Sequence, residues 1–85
     1  MDDKKVFLSV VQTVCNQFNV DAALVSPKTD FNKDLGADFV DLAKFIVEIE
    51  DEFGDVIPND AAERIQTVND LVNVIVESTN KKRKK

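Results

Sequence analysis

The stretch "LGADFVDLAKFIVEIEDEF", Leu35 to Phe53, decides the fold. A glycine, Gly36, leads to an acidic residue, Asp38, and from Phe39 to Phe53 there is neither proline nor glycine. Asp38 is suited to cap a helix, because its short carboxylate can accept a hydrogen bond from a free N–H group of the first turn. Leu42, Phe45, Ile46, Ile49 and Phe53 recur at helical spacing and predict an inward face. Gly54 ends the helix. Val40 and Val47, with Asp38, Asp41, Glu48, Glu50, Asp51 and Glu52, fall largely off that inward face and predict an outward, acid-rich one.

Working outward, Phe7, Val11, Val14 and Phe18 recur at spacings of four, three and four and predict a first helix over Lys4–Phe18. Asp2 and Asp3 suit its N-terminus, where the helix dipole favours negative charge. Cys15 borders the stripe and reads as a small buried hydrophobe. Residues 19–37 contain "SPKTD" and "NKDLGAD", both loop chemistry, with "DAAL" able to form one helical turn. So long a connection needs anchors, and Val20, Leu24, Val25, Phe31 and Leu35 are the expected pins. Beyond Gly54, "DVIP" reads as a short linker. Pro58 starts a short third helix over Asn59–Arg64, with Asn59 or Asp60 as cap. Thr67 and Asp70 form a capping pair for a last helix over Val68 to about Ser78, whose stripe is Val68, Leu71, Val72, Ile75 and Val76. No alternating strand pattern or internal repeat occurs. The predicted fold is all-α: a four-helix bundle with a long first loop and a short third helix.

At 85 residues the chain is one domain with a limited core. Its 44% hydrophobic and 32% charged content suits a folded, soluble protein. No run of eighteen apolar residues spans a membrane. The start "MDDKK" has no apolar signal region, so a cytoplasmic protein is expected. A single cysteine and no histidine exclude an internal disulfide and leave little room for a zinc site or a Cys/His nucleophile. Five of the eleven basic residues form the end "KKRKK", residues 81–85, expected to be a solvated, disordered tail on a domain of residues 1–80. Residues 1–80 thus hold 6 basic and 16 acidic side chains, a net charge of −10. Such a body repels nucleic acid and anionic membranes and attracts basic protein surfaces. Its carboxylates could in principle pair for acid–base work, but they line one solvated helix face, so the chain does not read as an enzyme.

Over roughly Val6 to Val76 the sequence resembles the acyl carrier protein family. The resemblance rests on "FNKDLGAD" before the second helix, "DLAKFIVEIEDEF" within it, "IPNDAAERI" around the short third helix and "TVNDLV" at the start of the last. It implies a four-helix bundle of acyl-carrier type, and a monomer. It also implies a role in carrying acyl intermediates on a 4′-phosphopantetheine arm for fatty-acid or polyketide biosynthesis. In the family the arm is held by the serine of a Gly-Ala-Asp-Ser-Leu motif. Here the corresponding run is Gly36-Ala37-Asp38-Phe39-Val40, so the attachment position is Phe39, which has no oxygen to form the phosphodiester. The chain is therefore expected to carry no cofactor. Asp38 corresponds to the aspartate that, in the family, caps the helix and helps position the metal used in arm transfer.

The resemblance also assigns the second helix as the recognition surface. The expected partners are enzymes of acyl-chain synthesis with basic docking patches. The partner contacts would be Val40, Asp41, Val47, Glu48, Glu50 and Asp51. Lys33 and Lys44 depart from the family's acidic character at their positions. An acyl chain would be stored among Phe31, Phe45, Ile49, Ile57, Ala62, Ile65 and Leu71, residues that an ordinary core also needs. The alternative reading is a non-acylated interaction or regulatory module that docks through its acidic second helix, with Phe39 itself as a contact.

Overall fold

The computed structural model describes residues 3–58 and 60–83. Three α-helices carry the fold: α1 (Asp3–Phe18), α2 (Phe39–Phe53) and α3 (Val68–Arg83). Two single 3-10 turns, Ala22–Leu24 and Ala62–Arg64, lie in the connections. Among the described residues there is no strand, and no helix is long and apolar enough to cross a membrane.

Helix α1 matches the expected span, but its buried stripe is turned by one residue. Val6, Val10, Val11 and Val14 are buried, while Phe7 and Phe18 are only partly so. Apolar residues occur at so many offsets in this segment that two stripes compete. The chosen one buries short, stiff valines in the core. Phe7 and Phe18 pack at the edge of that core, and Cys15 is likewise half-buried. Asn19 closes the helix in the left-handed region at φ 58°, a conformation that asparagine tolerates better than most residues. Asp3 lies in the first turn. Asp2 lies outside the described residues.

The long first connection is held by its own polar side chains and by a seam to α3. Asp21 caps the turn foreseen in "DAAL" by accepting from the Ala23 N–H at 3.1 Å. Asp30 accepts from the N–H groups of Asn32 and Lys33, both at 2.8 Å, and its own N–H donates to Asp34 at 2.7 Å. The Phe31 N–H donates to the Gln66 carbonyl (2.9 Å), Val68 to that of Thr29 (3.0 Å) and Asn69 to that of Pro27 (2.9 Å). An antiparallel bridge pairs Asp30 with Thr67. Val25 and Phe31 are buried, and Val20 and Leu35 are half-buried. Leu24 is not a pin: it is 76% exposed, because the 3-10 turn carries it outward.

Helix α2 begins and ends where expected. Asp38 is its N-cap and forms a reciprocal capping box with Asp41. The Asp41 N–H donates to Asp38 at 2.9 Å and the Asp38 N–H to Asp41 at 3.4 Å. Gly54, at φ 88°, closes the helix, and its N–H donates to the Glu50 carbonyl at 2.8 Å. Phe45 and Ile49 are fully buried, whereas Leu42, Ile46 and Phe53 are half-buried at the edges of the inward face. Phe45 sits between two other rings, 5.7 Å from Phe18 and 5.3 Å from Phe31 centre to centre.

The short third helix expected over Asn59–Arg64 is instead a single 3-10 turn, Ala62–Arg64. A six-residue segment after a proline is too short to sustain an α-helix in its own right. The residue preceding the turn is Ala61, whose side chain offers no capping oxygen. Asn59, a candidate cap, lies outside the described residues. The fold is thus all-α, with three full helices among the described residues and the expected fourth reduced to this turn. The connection still contributes Val56, Ile57, Ala61 and Ile65 to the core.

Helix α3 opens with the expected pair. The Asp70 N–H donates to the Thr67 hydroxyl at 3.2 Å, and the Thr67 N–H donates to the Asp70 carboxylate at 3.1 Å. Val68, Leu71, Val72 and Ile75 are buried and Val76 is half-buried. The helix runs past Ser78 to Arg83 and so takes in three residues of the basic end. Lys84 and Lys85 lie outside the described residues.

Candidate docking and attachment site

The start of α2 is built from three pieces. Gly36, at φ 68°, turns the chain through the left-handed region. Ala37 is buried beneath the turn, its N–H donating to the Phe31 carbonyl (2.8 Å) and its carbonyl accepting from the Asn32 side chain (3.1 Å). Asp38 then caps the helix. Phe39 is the first helical residue, held in place from behind by that box. The opening N–H groups of a helix have no intrahelical partner, so this end is the positive end of the α2 dipole.

The ring of Phe39 is 80% exposed and does not fold down onto the body. It stands between two depressions. One, of about 340 Å³, lies at the front of the helix against Phe31, Ala37, Asp38, Leu42 and Ile65, with Lys33 and Gln66 at its polar side. The other, of about 150 Å³, is lined by Phe39, Leu42, Ala43 and Ile46. The spacing of those four residues is one side of a helix. Leu42 and Ile46, expected as inward residues, thus serve both the core edge and this outer dent. Ala43 was not foreseen as part of any site. The signal that could have found it is its position four residues after Phe39.

Val40 and Val47 are 57% and 56% exposed on the next outward row. Asp38, Glu48, Asp51 and Glu52 are exposed, and Asp41 and Glu50 are half-buried. Glu52 faces α1, where Thr13 approaches it at 3.5 Å. Lys33 and Lys44 are exposed beside these acids. The first turn of α2, Phe39-Val40-Asp41-Leu42, contains no hydroxyl. Two hydroxyls elsewhere in the chain are already engaged. Thr29 is buried and accepts from the Ser26 N–H at 2.8 Å, and Thr67 caps α3. Among the described residues, no group of His, Cys, Asp and Glu side chains is placed to hold a metal ion. Of the residues considered for acyl storage, Phe31, Phe45, Ile49, Ile57, Ile65 and Leu71 are buried in one core. The Ala62 side chain lies outside the described residues.

A family model described as "Phosphopantetheine attachment site" matches residues 9–75. The chain belongs to the acyl carrier protein family. It is 41% identical over 75 residues to the acyl carrier protein of Lactobacillus acidophilus, covering 88% of this chain and 94% of that one. It is also 41% identical over 73 residues to the acyl carrier protein of Helicobacter pylori strain G27, covering 86% and 94%. A solved acyl carrier protein from Enterococcus faecalis superposes with a TM-score of 0.76 at 35% identity, over 92% of this chain and 99% of that one. Acyl carrier proteins are carriers and not enzymes, and this family's arm is 4′-phosphopantetheine. Their role is in acyl-chain biosynthesis, alongside the enzymes of that synthesis.

Proposed function

We propose that this chain is an acyl-carrier scaffold that takes no arm and acts by docking, through α2, to enzymes of acyl-chain synthesis. One observation carries the reading: the first position of α2, at the capped and exposed front of the helix, is held by Phe39. A phosphodiester needs an oxygen nucleophile on the protein. The phenylalanine ring supplies none, and no change in its surroundings can create one. The residues present at this position therefore do not fit the covalent arm, although the helix end around them is of the kind that favours a phosphate. Fatty-acid or polyketide synthesis is the setting, and a cytoplasmic monomer is the form.

The docking half of the proposal rests on charge. A body of net charge −10 with acids along one exposed helix face steers partners that carry lysine and arginine patches. Surface attraction of that kind is screened within ~8 Å at physiological salt, so docking weakens as salt rises. A dedicated regulatory module would use the same face, and the outward ring of Phe39 favours that second reading over a merely inactive carrier.

The test is incubation of the purified chain with a phosphopantetheinyl transferase, magnesium and coenzyme A, followed by intact-mass measurement. The expected mass is unchanged, and Phe39→Ser gains one arm. A gained arm on the unaltered chain overturns the proposal.

A further inference from the structure

The outward side of α2 carries more apolar surface than solubility explains. Phe39, Val40 and Val47 are exposed, and Ala43 and Ile46 continue between them. At 100° per residue these five lie on adjoining rows, so they make one band and not scattered points. Apolar residues standing singly on a surface are ordinary, but a contiguous band rimmed by polar groups marks a contact surface. Acids supply the rim here: Asp38 and Asp41 at the front, Glu48, Glu50 and Asp51 behind.

From this band we infer that Phe39 is a docking anchor: its ring inserts into an apolar pocket, rimmed by lysine or arginine, on an enzyme of acyl-chain synthesis. The inference rests on the docking reading above and assigns the residue that dominates it. Three features support it. The ring projects from a helix whose first turn is fixed by the Asp38–Asp41 box, so little backbone freedom is lost on binding. A phenylalanine has two side-chain torsions and a large apolar area, the profile of an interface anchor. The dent formed by Phe39, Leu42, Ala43 and Ile46 gives the pocket's wall a place to seat beside the ring. A second copy of this chain is the poorer occupant, because two chains of net charge −5, each with acids along α2, would meet acid to acid.

The experiment measures binding of the full chain to the purified acyl-synthesis enzymes of Lactobacillus acidophilus, assayed one by one. Four forms are compared: unaltered, Phe39→Ala, Phe39→Leu, and the pair Glu48→Gln with Asp51→Asn. The unaltered chain is expected to bind at least one enzyme. Phe39→Ala should weaken that binding tenfold or more, mainly through faster dissociation. Phe39→Leu should recover most of it. The double charge variant should slow association and flatten the salt dependence. Circular dichroism of Phe39→Ala should match the unaltered chain. Failure of every enzyme to bind, or a Phe39→Ala change within twofold, overturns the anchor. In the latter case a loss in the double charge variant leaves docking through α2 standing. The loading reaction tests the missing arm separately, so the two proposals fail by different readings.

Discussion

Two phenylalanines six residues apart on α2 have opposite surroundings, and their alanine variants should diverge accordingly. Phe45 is fully buried, with Phe18 and Phe31 packed on it at 5.7 and 5.3 Å. Both separations lie in the range where tilted aromatic pairs attract beyond simple burial. Truncating a buried phenylalanine to alanine costs about 3–5 kcal/mol, from lost transfer energy and from the cavity left behind. At roughly 0.05–0.15 kcal/mol per residue, a chain of this length has a total stability of only about 4–13 kcal/mol. Phe45→Ala should therefore remove a large share of it and can leave the chain partly unfolded at room temperature. Phe39→Ala, at an 80% exposed position, should change stability by no more than about 0.5 kcal/mol. The chain has no tryptophan or tyrosine, so urea unfolding is followed by far-ultraviolet circular dichroism. At a slope of about 1 kcal/mol per molar urea, the two midpoints should differ by ~2.5 M or more. A Phe45→Ala loss under about 1 kcal/mol, or a Phe39→Ala loss equal to it, would refute this account of the core.

Other substitutions test the helix ends. Asp38→Ala removes the side-chain half of the α2 capping box and should cost about 1 kcal/mol, read by the same unfolding curves, with Asp38→Asn retaining most of the cap. Gly54→Ala should cost about 1 kcal/mol, because φ 88° is strained for a residue with a Cβ even though nothing crowds the added atom. Thr67→Ala should cost a similar ~1 kcal/mol by freeing the Asp70 N–H at the start of α3.

The helices were legible in the sequence where local chemistry is decisive. The ends of α2 follow from Asp38 and Gly54, and the start of α3 from Thr67 and Asp70, because each signal acts within a few residues. The face of α1 was not legible to the last step. Its segment has apolar side chains at positions 6, 7, 8, 10, 11, 14, 15 and 18, and only tertiary packing chooses between the stripes. Leu24 reads as an anchor by type, but the turn that carries it is set by Asp21 and aims it at solvent. The seam joining residues 27–31 to 66–69 leaves no local trace, since its donors and acceptors are ordinary backbone groups. At the candidate site, the position and chemistry of Phe39 were readable directly. The outward setting of its ring and the dent completed by Ala43 were not, because they depend on how the loop before α2 is held.

That seam governs the order in which the molecule can be assembled. The residues it joins are nearly half the chain apart, so the closure cost falls late and cannot be met by local turns alone. During synthesis the backbone of residues 27–31 lacks its partners across the seam until residues 66–69 have left the ribosome. A chain halted at Gly54 would present the helix with its approach unfastened. Once joined, the Phe31 amide, though it lies in a loop, should exchange its hydrogen as slowly as those in the middle of α3.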